Sequence, residues 1–345
     1  LASSSLQTSG AVSGTGKLTK SGPGTLIFAN ANTYSGGTTI SGGTIYLAGA
    51  TANSSGLGTG SVTLSNGTLS MADVQASETG AWNLIVPSGS TGRLNADGRC
   101  TLSGTLTGGG DFTFYTPYVR TELYGNWSTF SGRIYVVSDA DGGDFRMRGN
   151  GGYPLAQLDI GDGVYAYYNI SGGTTIKIGT LSGTSGGFLR GGLNSSTVIY
   201  EVGARNEDST FAGIISNNTG PTALNKVGTG TLTLSGVNTY TGATTVSAGK
   251  ISVTGSLAAT STSIASTATL GGTGSIAGAV TCNGSLAPGI ATAGTLSLSN
   301  GLTLASTSAL NYDLGTTSDR TAVIGNLTLD GTLNVTAGAG FGAGT

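Results

Sequence analysis

The chain has 345 residues, of which 63 are glycine and only 9% are charged, and its formal net charge is −2. A charge this small offers no electrostatic footprint for nucleic acid, so we expect no nucleic-acid partner. The absence of histidine excludes Ser-His-Asp and Cys-His nucleophilic sites. No apolar run reaches the ~18 residues of a membrane-spanning helix, and we therefore expect no membrane insertion by this chain.

The first part of the chain reads as a lead-in followed by short strands. Residues 1–19 are predicted to be an N-terminal lead-in or cap, and residues 20–110 a first repeat section. Runs such as 60–64 (GSVTL) and 67–71 (GTLSM) alternate apolar and polar residues behind a glycine. Alternation with a period of two is typical of a half-buried β-strand, and the glycine is typical of a tight corner.

The middle section, residues 111–200, is predicted to consist of decorated coils rich in aromatic residues and arginine. Two interpretations of these aromatic residues stay open. They fill the core or stack along a face, or they form an exposed strip that holds sugars or a partner chain. The aromatic residues in question are Phe112, Phe114, Tyr115, Tyr118, Tyr124, Trp127, Phe130, Tyr135, Tyr153, Tyr165, Tyr167 and Tyr168.

Residues 201–345 are predicted to hold a second repeat section and the C-terminal coils. Residues 226–253 (KVGTGTLTLSGVNTYTGATTVSAGKISV) repeat residues 20–47 (KSGPGTLIFANANTYSGGTTISGGTIYL), with half of the aligned positions identical. Each of these units is too thin to bury its own apolar face, which indicates coils that stack on one another. We therefore predict a single continuous β-solenoid over residues 1–345, all-β with essentially no helix, with about 20 residues per coil.

The two cysteines, Cys100 and Cys282, each alternate with an apolar neighbour. In a linear stack of coils spaced ~4.8 Å apart they would be far beyond the reach of a disulfide. We predict two free, buried cysteines.

The repeated segments resemble the autotransporter-associated β-strand repeat, also called the passenger-associated transport repeat. The resemblance rests on G-T-L-T-L-S-G-V-N-T-Y-T-G at 230–242 and G-T-L-I-F-A-N-A-N-T-Y-S-G at 24–36. It implies a right-handed parallel β-helix in a secreted bacterial protein. It also implies export, an extracellular or cell-surface location, and a role in adhesion, as matrix or as a stalk.

One acidic cluster is the best candidate for metal or catalytic chemistry. Asp139, Asp141 and Asp144 provide hard oxygen ligands suited to Ca²⁺ and lie close to Arg146 and Arg148. A hydrated turn without metal, a Ca²⁺-stabilised turn and a catalytic site are all compatible with this pattern. Catalysis would need these side chains to converge in an open groove. We predict no catalytic residue and no cofactor other than this candidate Ca²⁺.

The functional prediction is a secreted structural surface protein and not an enzyme. We expect a solenoid rod that self-associates end to end into extracellular fibres, or an adhesin or matrix component with a glycan or surface receptor as partner. Two alternatives are a glycan-active lyase or hydrolase on a β-helix and a passive autotransporter passenger stalk.

Overall fold

The protein was analysed as a computed structural model, which describes residues 4–49, 54–72, 78–96, 99–117, 120–139, 142–149, 151–169, 172–258, 260–290 and 292–342. Its contacts divide the chain into two compact units, Leu1–Asn169 (unit 1) and Ile170–Thr345 (unit 2). The division into sections beginning at residues 20, 111 and 201 stays a prediction.

The described part of the chain contains β-strands, one 3-10 turn at Ser54–Gly56 and no α-helix. The paired strands run parallel in both units, which confirms the predicted all-β parallel β-solenoid. No helix within the described ranges is long and apolar enough to cross a membrane.

Unit 1 contains eighteen of the strands that the structure describes. In chain order they are β1 (Ser5–Gln7), β2 (Leu18–Lys20), β3 (Thr25–Phe28), β4 (Thr38–Ile40), β5 (Thr44–Leu47), β6 (Val62–Leu64), β7 (Gly67–Met71), β8 (Thr79–Gly80), β9 (Leu84–Val86), β10 (Thr91–Asn95), β11 (Thr101–Leu102), β12 (Leu106–Gly108), β13 (Asp111–Tyr115), β14 (Arg120–Leu123), β15 (Arg133–Val137), β16 (Gly143–Met147), β17 (Gly152–Ile160) and β18 (Val164–Tyr168).

The strands of unit 1 stack into three parallel sheets, because each coil adds one strand to a sheet before the chain turns a corner. The first sheet is β1-β3-β5-β7-β10-β13-β15-β17, the second β2-β4-β6-β9-β12 and the third β8-β11-β14-β16-β18.

Unit 2 contains the remaining described strands. They are β19 (Thr174–Gly183), β20 (Phe188–Arg190), β21 (Val198–Val202), β22 (Ser209–Phe211), β23 (Ile214–Ser216), β24 (Thr222–Lys226), β25 (Thr231–Leu234), β26 (Val237–Asn238), β27 (Thr244–Val246), β28 (Gly249–Val253), β29 (Ser256–Leu257), β30 (Thr262–Ile264), β31 (Ala268–Gly272), β32 (Ser275–Ile276), β33 (Val280–Cys282), β34 (Ser285–Pro288), β35 (Thr295–Leu298), β36 (Leu302–Leu304), β37 (Ala309–Leu314), β38 (Arg320–Val323), β39 (Leu327–Thr328) and β40 (Thr332–Ala337).

Unit 2 repeats the three-ladder plan of unit 1. Its long strand β19 pairs with both β21 and β22 and so starts two of the ladders. These ladders continue as β21-β24-β27-β30-β33-β36-β39 and β22-β25-β28-β31-β34-β37-β40, and a third runs β26-β29-β32-β35-β38.

The core is a column of apolar side chains held in register from coil to coil. In unit 2, Leu232 lies beside Ile251, and Ile251 beside Leu270. All three are almost fully buried, and each buried aliphatic side chain of this kind contributes ~1.5–3 kcal/mol of transfer free energy. Alternate residues of each strand therefore face the core, as the alternation in the sequence predicted.

The coils differ in length, so the predicted coil length describes only their average. A short coil joins the paired residues Thr269 and Ser285, whereas a distinctly longer one joins Thr68 and Arg93. The extra residues are accommodated at the corners, so the strands keep their parallel pairing.

The aromatic section of unit 1 forms a continuous cluster of buried rings. Phe114 contacts Phe145 edge to face at 5.3 Å between ring centroids, and Phe112 contacts Trp127 at 5.8 Å. Such pairs add about 0.5–1.5 kcal/mol beyond the area they bury. The core interpretation therefore holds for these rings, whereas Tyr118 lies outside the described residues.

Cys100 and Cys282 are both buried thiols. Each lies in its own unit and packs as a small apolar side chain, as predicted.

Candidate functional site

The asparagine of the repeat is a buried clamp between neighbouring coils. Asn238 Oδ1 accepts the Ile215 N–H at 2.9 Å, and its Nδ2 donates to the Gly236 and Ser256 carbonyls. In the first copy, Asn32 accepts from a backbone N–H of the preceding coil and donates to the Gly56 carbonyl of the following one. Both asparagines bond to backbone groups of neighbouring coils and so connect those coils.

The tyrosine of the repeat is a packing residue. Tyr34 and Tyr240 are almost fully buried, and their hydroxyls bond to Thr38 at 2.6 Å and to Thr244 at 2.7 Å. Burial raises the pKa of Tyr240. Neither hydroxyl is presented to a ligand.

The lysine of the repeat bonds to the backbone carbonyls of a coil corner. Lys226 is 1% exposed, and burial lowers its pKa to about 8. Lys20 stands at the equivalent position of the first copy and makes the same set of bonds. Lys226 Nζ donates to the carbonyls of Val227, Gly228 and Ala248, and Lys20 Nζ to those of Ser21, Gly22 and Gly42.

The repeat residues therefore maintain the fold, and the chemistry available to a partner lies elsewhere. The outer face of β14, β16 and β18 carries charged and aromatic residues at its outward positions, where most other coils carry Ser or Thr. We call this surface the charged-aromatic face. It consists of Arg120, Glu122, Tyr124, Asp144, Arg146, Arg148, Tyr165 and Tyr167, of which Tyr167 is only 3% exposed.

The strand register arranges this face as a grid. Glu122 lies beside Arg146, and Arg146 beside Tyr167. In the next column, Arg120 lies beside Asp144 and Asp144 beside Tyr165. The inward neighbours Leu123, Phe145 and Ala166 are buried and anchor the three strands.

Asp144 is the best-connected carboxylate of the face. Its Oδ2 accepts hydrogen bonds from Arg146 Nη2 and from the Tyr167 hydroxyl, each at 2.6 Å. The Arg146 guanidinium also lies over the Tyr167 ring, 5.4 Å from the centroid. Burial, together with the bond to Asp144, raises the pKa of Tyr167.

Glu122 connects Arg146 of β16 with Arg148, which follows that strand. Its Oε1 lies 2.8 Å from Arg148 Nη2 and 3.6 Å from Arg146 Nη1. Arg148 in turn lies over the ring of Tyr124, 5.6 Å from the centroid, and Tyr124 is 45% exposed. The result is a connected layer of side chains in fixed orientations.

The predicted Ca²⁺ ligands fall in different surroundings. Asp139 follows β15 and accepts the Tyr115 hydroxyl at 2.6 Å, whereas Asp144 is on β16. Asp141 lies outside the described residues. A Ca²⁺ ion at Asp144 Oδ2 would compete with Arg146 and Tyr167, which already donate hydrogen bonds to that oxygen. Among the described residues no group of three or more His, Cys, Asp or Glu could hold a metal ion, and the three-aspartate site stays a prediction.

Sequence reasoning singled out Asp144 and Arg146 but missed Glu122, which holds the two arginines together. The available signal was the alternation of Arg120, Glu122 and Tyr124 with buried residues on β14. That signal shows which residues point outward but not which strand lies beside them.

Comparison with known proteins places the repeat segments in a family. The family model described as Passenger-associated-transport-repeat matches residues 18–47 and 224–253. The curated adhesin BmaC autotransporter of Brucella suis biovar 1 (strain 1330) is 35% identical over 268 residues. That alignment includes 67% of this chain but only 8% of the adhesin's length. With the repeat present twice and a parallel β-solenoid built around it, the chain belongs to the passenger-associated transport repeat family.

Proposed function

We propose that this chain is part of an exported bacterial cell-surface protein and acts in adhesion without catalysing a reaction. The observation that carries the proposal is the similarity to an autotransporter adhesin over 268 residues, combined with two matches to the passenger repeat. Parallel coils with a polar outer surface are suited to this role, because they display side chains on rigid strands.

The catalytic alternative finds little support in the carboxylates that would have to react. Asp144 is paired with Arg146 and hydrogen-bonded to Tyr167, while Asp139 is held by Tyr115. A catalytic carboxylate must be free to exchange a proton with its substrate, and both of these carboxylates already accept hydrogen bonds from neighbouring side chains. The arrangement therefore favours recognition over catalysis.

Surface location is tested by antibodies raised against the purified chain. They should label intact cells of the source bacterium, and brief protease treatment of those cells should remove the labelled epitope. Labelling only after cell lysis would contradict export.

Adhesion is tested with beads coated with the purified chain. These beads should attach to cultured host cells in clear excess over albumin-coated beads. Attachment equal to that of albumin would refute the adhesive role.

A second candidate function, end-to-end self-association into fibres, is favoured by the last strands of unit 2. Leu333 and Val335 on β40 stand in register with Leu310 and Tyr312 of the preceding coil, yet they are 62% and 43% exposed. Exposed apolar side chains on a strand can be covered by a strand of a second copy of the chain.

A further inference from the structure

The charged-aromatic face concentrates charged side chains in a chain that has few of them. Charged residues make up 9% of the chain, yet five of the eight residues of this face are charged. Surface ion pairs contribute only about 0–1 kcal/mol each. Other coils of unit 1 stack with threonines at outward positions, as Thr39 beside Thr63 shows. The fold therefore has no need of this chemistry.

We infer that the charged-aromatic face binds a neutral, hydroxyl-rich glycan chain. This inference rests on the proposed adhesive function and specifies its ligand. A sugar hydroxyl both donates and accepts hydrogen bonds, and here carboxylate acceptors alternate with guanidinium donors. Glu122 and Asp144 would accept from hydroxyls, while Arg146 and Arg148 would donate to them.

The aromatic residues supply the apolar half of the recognition. The Tyr124 ring is partly open to solvent and has the Arg148 guanidinium stacked on it. An amphipathic ring of this kind packs against the C–H face of a sugar while its hydroxyl remains hydrated. Tyr165, the half-buried partner of Asp144 in the grid, lies one coil further on.

The charges of the face argue against the other classes of partner. Three arginines are opposed by Glu122 and Asp144, so the face has nearly balanced charge, and a polyanion would meet two carboxylates. Protein–protein interfaces are depleted of aspartate and glutamate, whereas this face has two carboxylates at its centre, where Glu122 and Asp144 both contact Arg146. A neutral polyhydroxylated ligand satisfies donors and acceptors without burying an unpaired charge.

The geometry also suits an extended chain of sugars. Neighbouring strands lie about 4.8 Å apart, a spacing comparable with the length of one sugar unit, so successive units can contact successive coils. The side chains are already held by one another through the Glu122–Arg148 and Asp144–Tyr167 bonds. Binding then costs little ordering entropy.

The test uses the full chain and isothermal titration with neutral hexasaccharides of glucose, mannose and N-acetylglucosamine as probes. The parent protein should bind at least one of them, and Tyr124→Ala and Arg148→Gln should each weaken that binding about tenfold or more. The matched controls are Tyr46→Ala, an outward tyrosine on β5, and Arg93→Gln, which stacks on Tyr115. Both controls should bind like the parent.

Circular dichroism and thermal melting of each variant test whether it is folded. Weaker binding by a folded variant can then be attributed to the lost side chain of the charged-aromatic face. Absence of binding to all three probes, or equal losses in the controls, would overturn the glycan assignment. Preferential binding of a heparin hexasaccharide would also overturn it, because a polyanion is a different ligand class. Beads coated with Tyr124→Ala provide a separate readout. If the parent beads attach to cells and these beads attach equally well, adhesion stands and the glycan face does not.

Discussion

Single side chains of the repeat are best understood through the backbone groups that they satisfy. Asn238 and Lys226 each bond to backbone groups of more than one coil, and their counterparts in the first copy do the same. A corner of a solenoid leaves N–H and C=O groups without strand partners, and burial makes such groups costly. This requirement explains why polar residues occupy buried positions in both copies.

Replacement of Asn238 by alanine should lower the free energy of unfolding by about 3 kcal/mol, because buried backbone groups would lose their partners. Denaturant unfolding of purified protein measures the change. Thr239→Ala is the matched control, since Thr239 is the exposed neighbour on the same segment. Equal stability of the two variants would contradict the clamp.

The lowered pKa of Lys226 predicts a pH dependence with a defined sign. Below about pH 8 the lysine is protonated in both states. Between about pH 8 and its ordinary pKa of 10.5, only the unfolded chain holds the proton. Rising pH therefore favours the folded state. We expect a gain of about 2 kcal/mol between about pH 7.5 and 9.5, a range below the usual tyrosine pKa.

Lys226→Met should remove this gain while its overall stability falls. Denaturant unfolding at the two pH values gives the comparison. A gain of the same size in the variant would assign the effect to another group.

At the scale of one element, close approach between coils decides which corner residues are tolerated. Gly43 has a φ of 63°, and a Cβ there would lie 2.3 Å from the Gly24 carbonyl oxygen. Gly22 has a similar φ of 71°, but a Cβ there would meet nothing within 4 Å. Alanine substitutions at these two glycines therefore distinguish backbone strain, which both positions have, from steric contact, which only Gly43 has.

Gly22→Ala should cost only the left-handed backbone penalty, about 1–2 kcal/mol. Gly43→Ala should lower the free energy of unfolding by roughly 2 kcal/mol more, because the added methyl group would also push against the Gly24 carbonyl and displace the backbone of that corner. Denaturant midpoints of the two variants measure the difference. Equal destabilisation of the two variants would show that the coil containing Gly24 moves aside at no cost in free energy.

At the scale of the whole molecule, exposed apolar residues at the end of unit 2 set the expectation for self-association. The purified chain should form larger species as its concentration rises, which sedimentation velocity detects. Leu333→Ser combined with Val335→Ser should reduce this association, because it removes apolar area from the exposed edge. Thr332→Ser with Thr336→Ser, on the same strand, is the control. A parent chain that stays monomeric at every concentration would refute end-to-end assembly.

Alternation and internal repetition in the sequence are enough to assign the class of fold and the interior of the repeat. Leu232 and Ile251 could be assigned to the core because alternation in a strand fixes which face a side chain occupies. Tyr34 and Tyr240 occupy the same position in the two copies of the repeat, and both are buried. Alternation within a strand is a local property, so it is kept when the connecting corners differ in length.

Which outward residues become neighbours depends on how the coils stack, and this is seen only in the three-dimensional structure. Glu122 meets Arg146, and Arg146 meets Tyr167, across two coils of unequal length, and coils elsewhere in the chain are both shorter and longer than these. The length of each corner sets the register between neighbouring strands, and no local sequence pattern encodes that length. The residues of the charged-aromatic face could therefore not be predicted from their spacing in the sequence. Asp139 and Asp144, close together in the sequence, accept hydrogen bonds from different tyrosines, Tyr115 and Tyr167, and the sequence could not predict either bond.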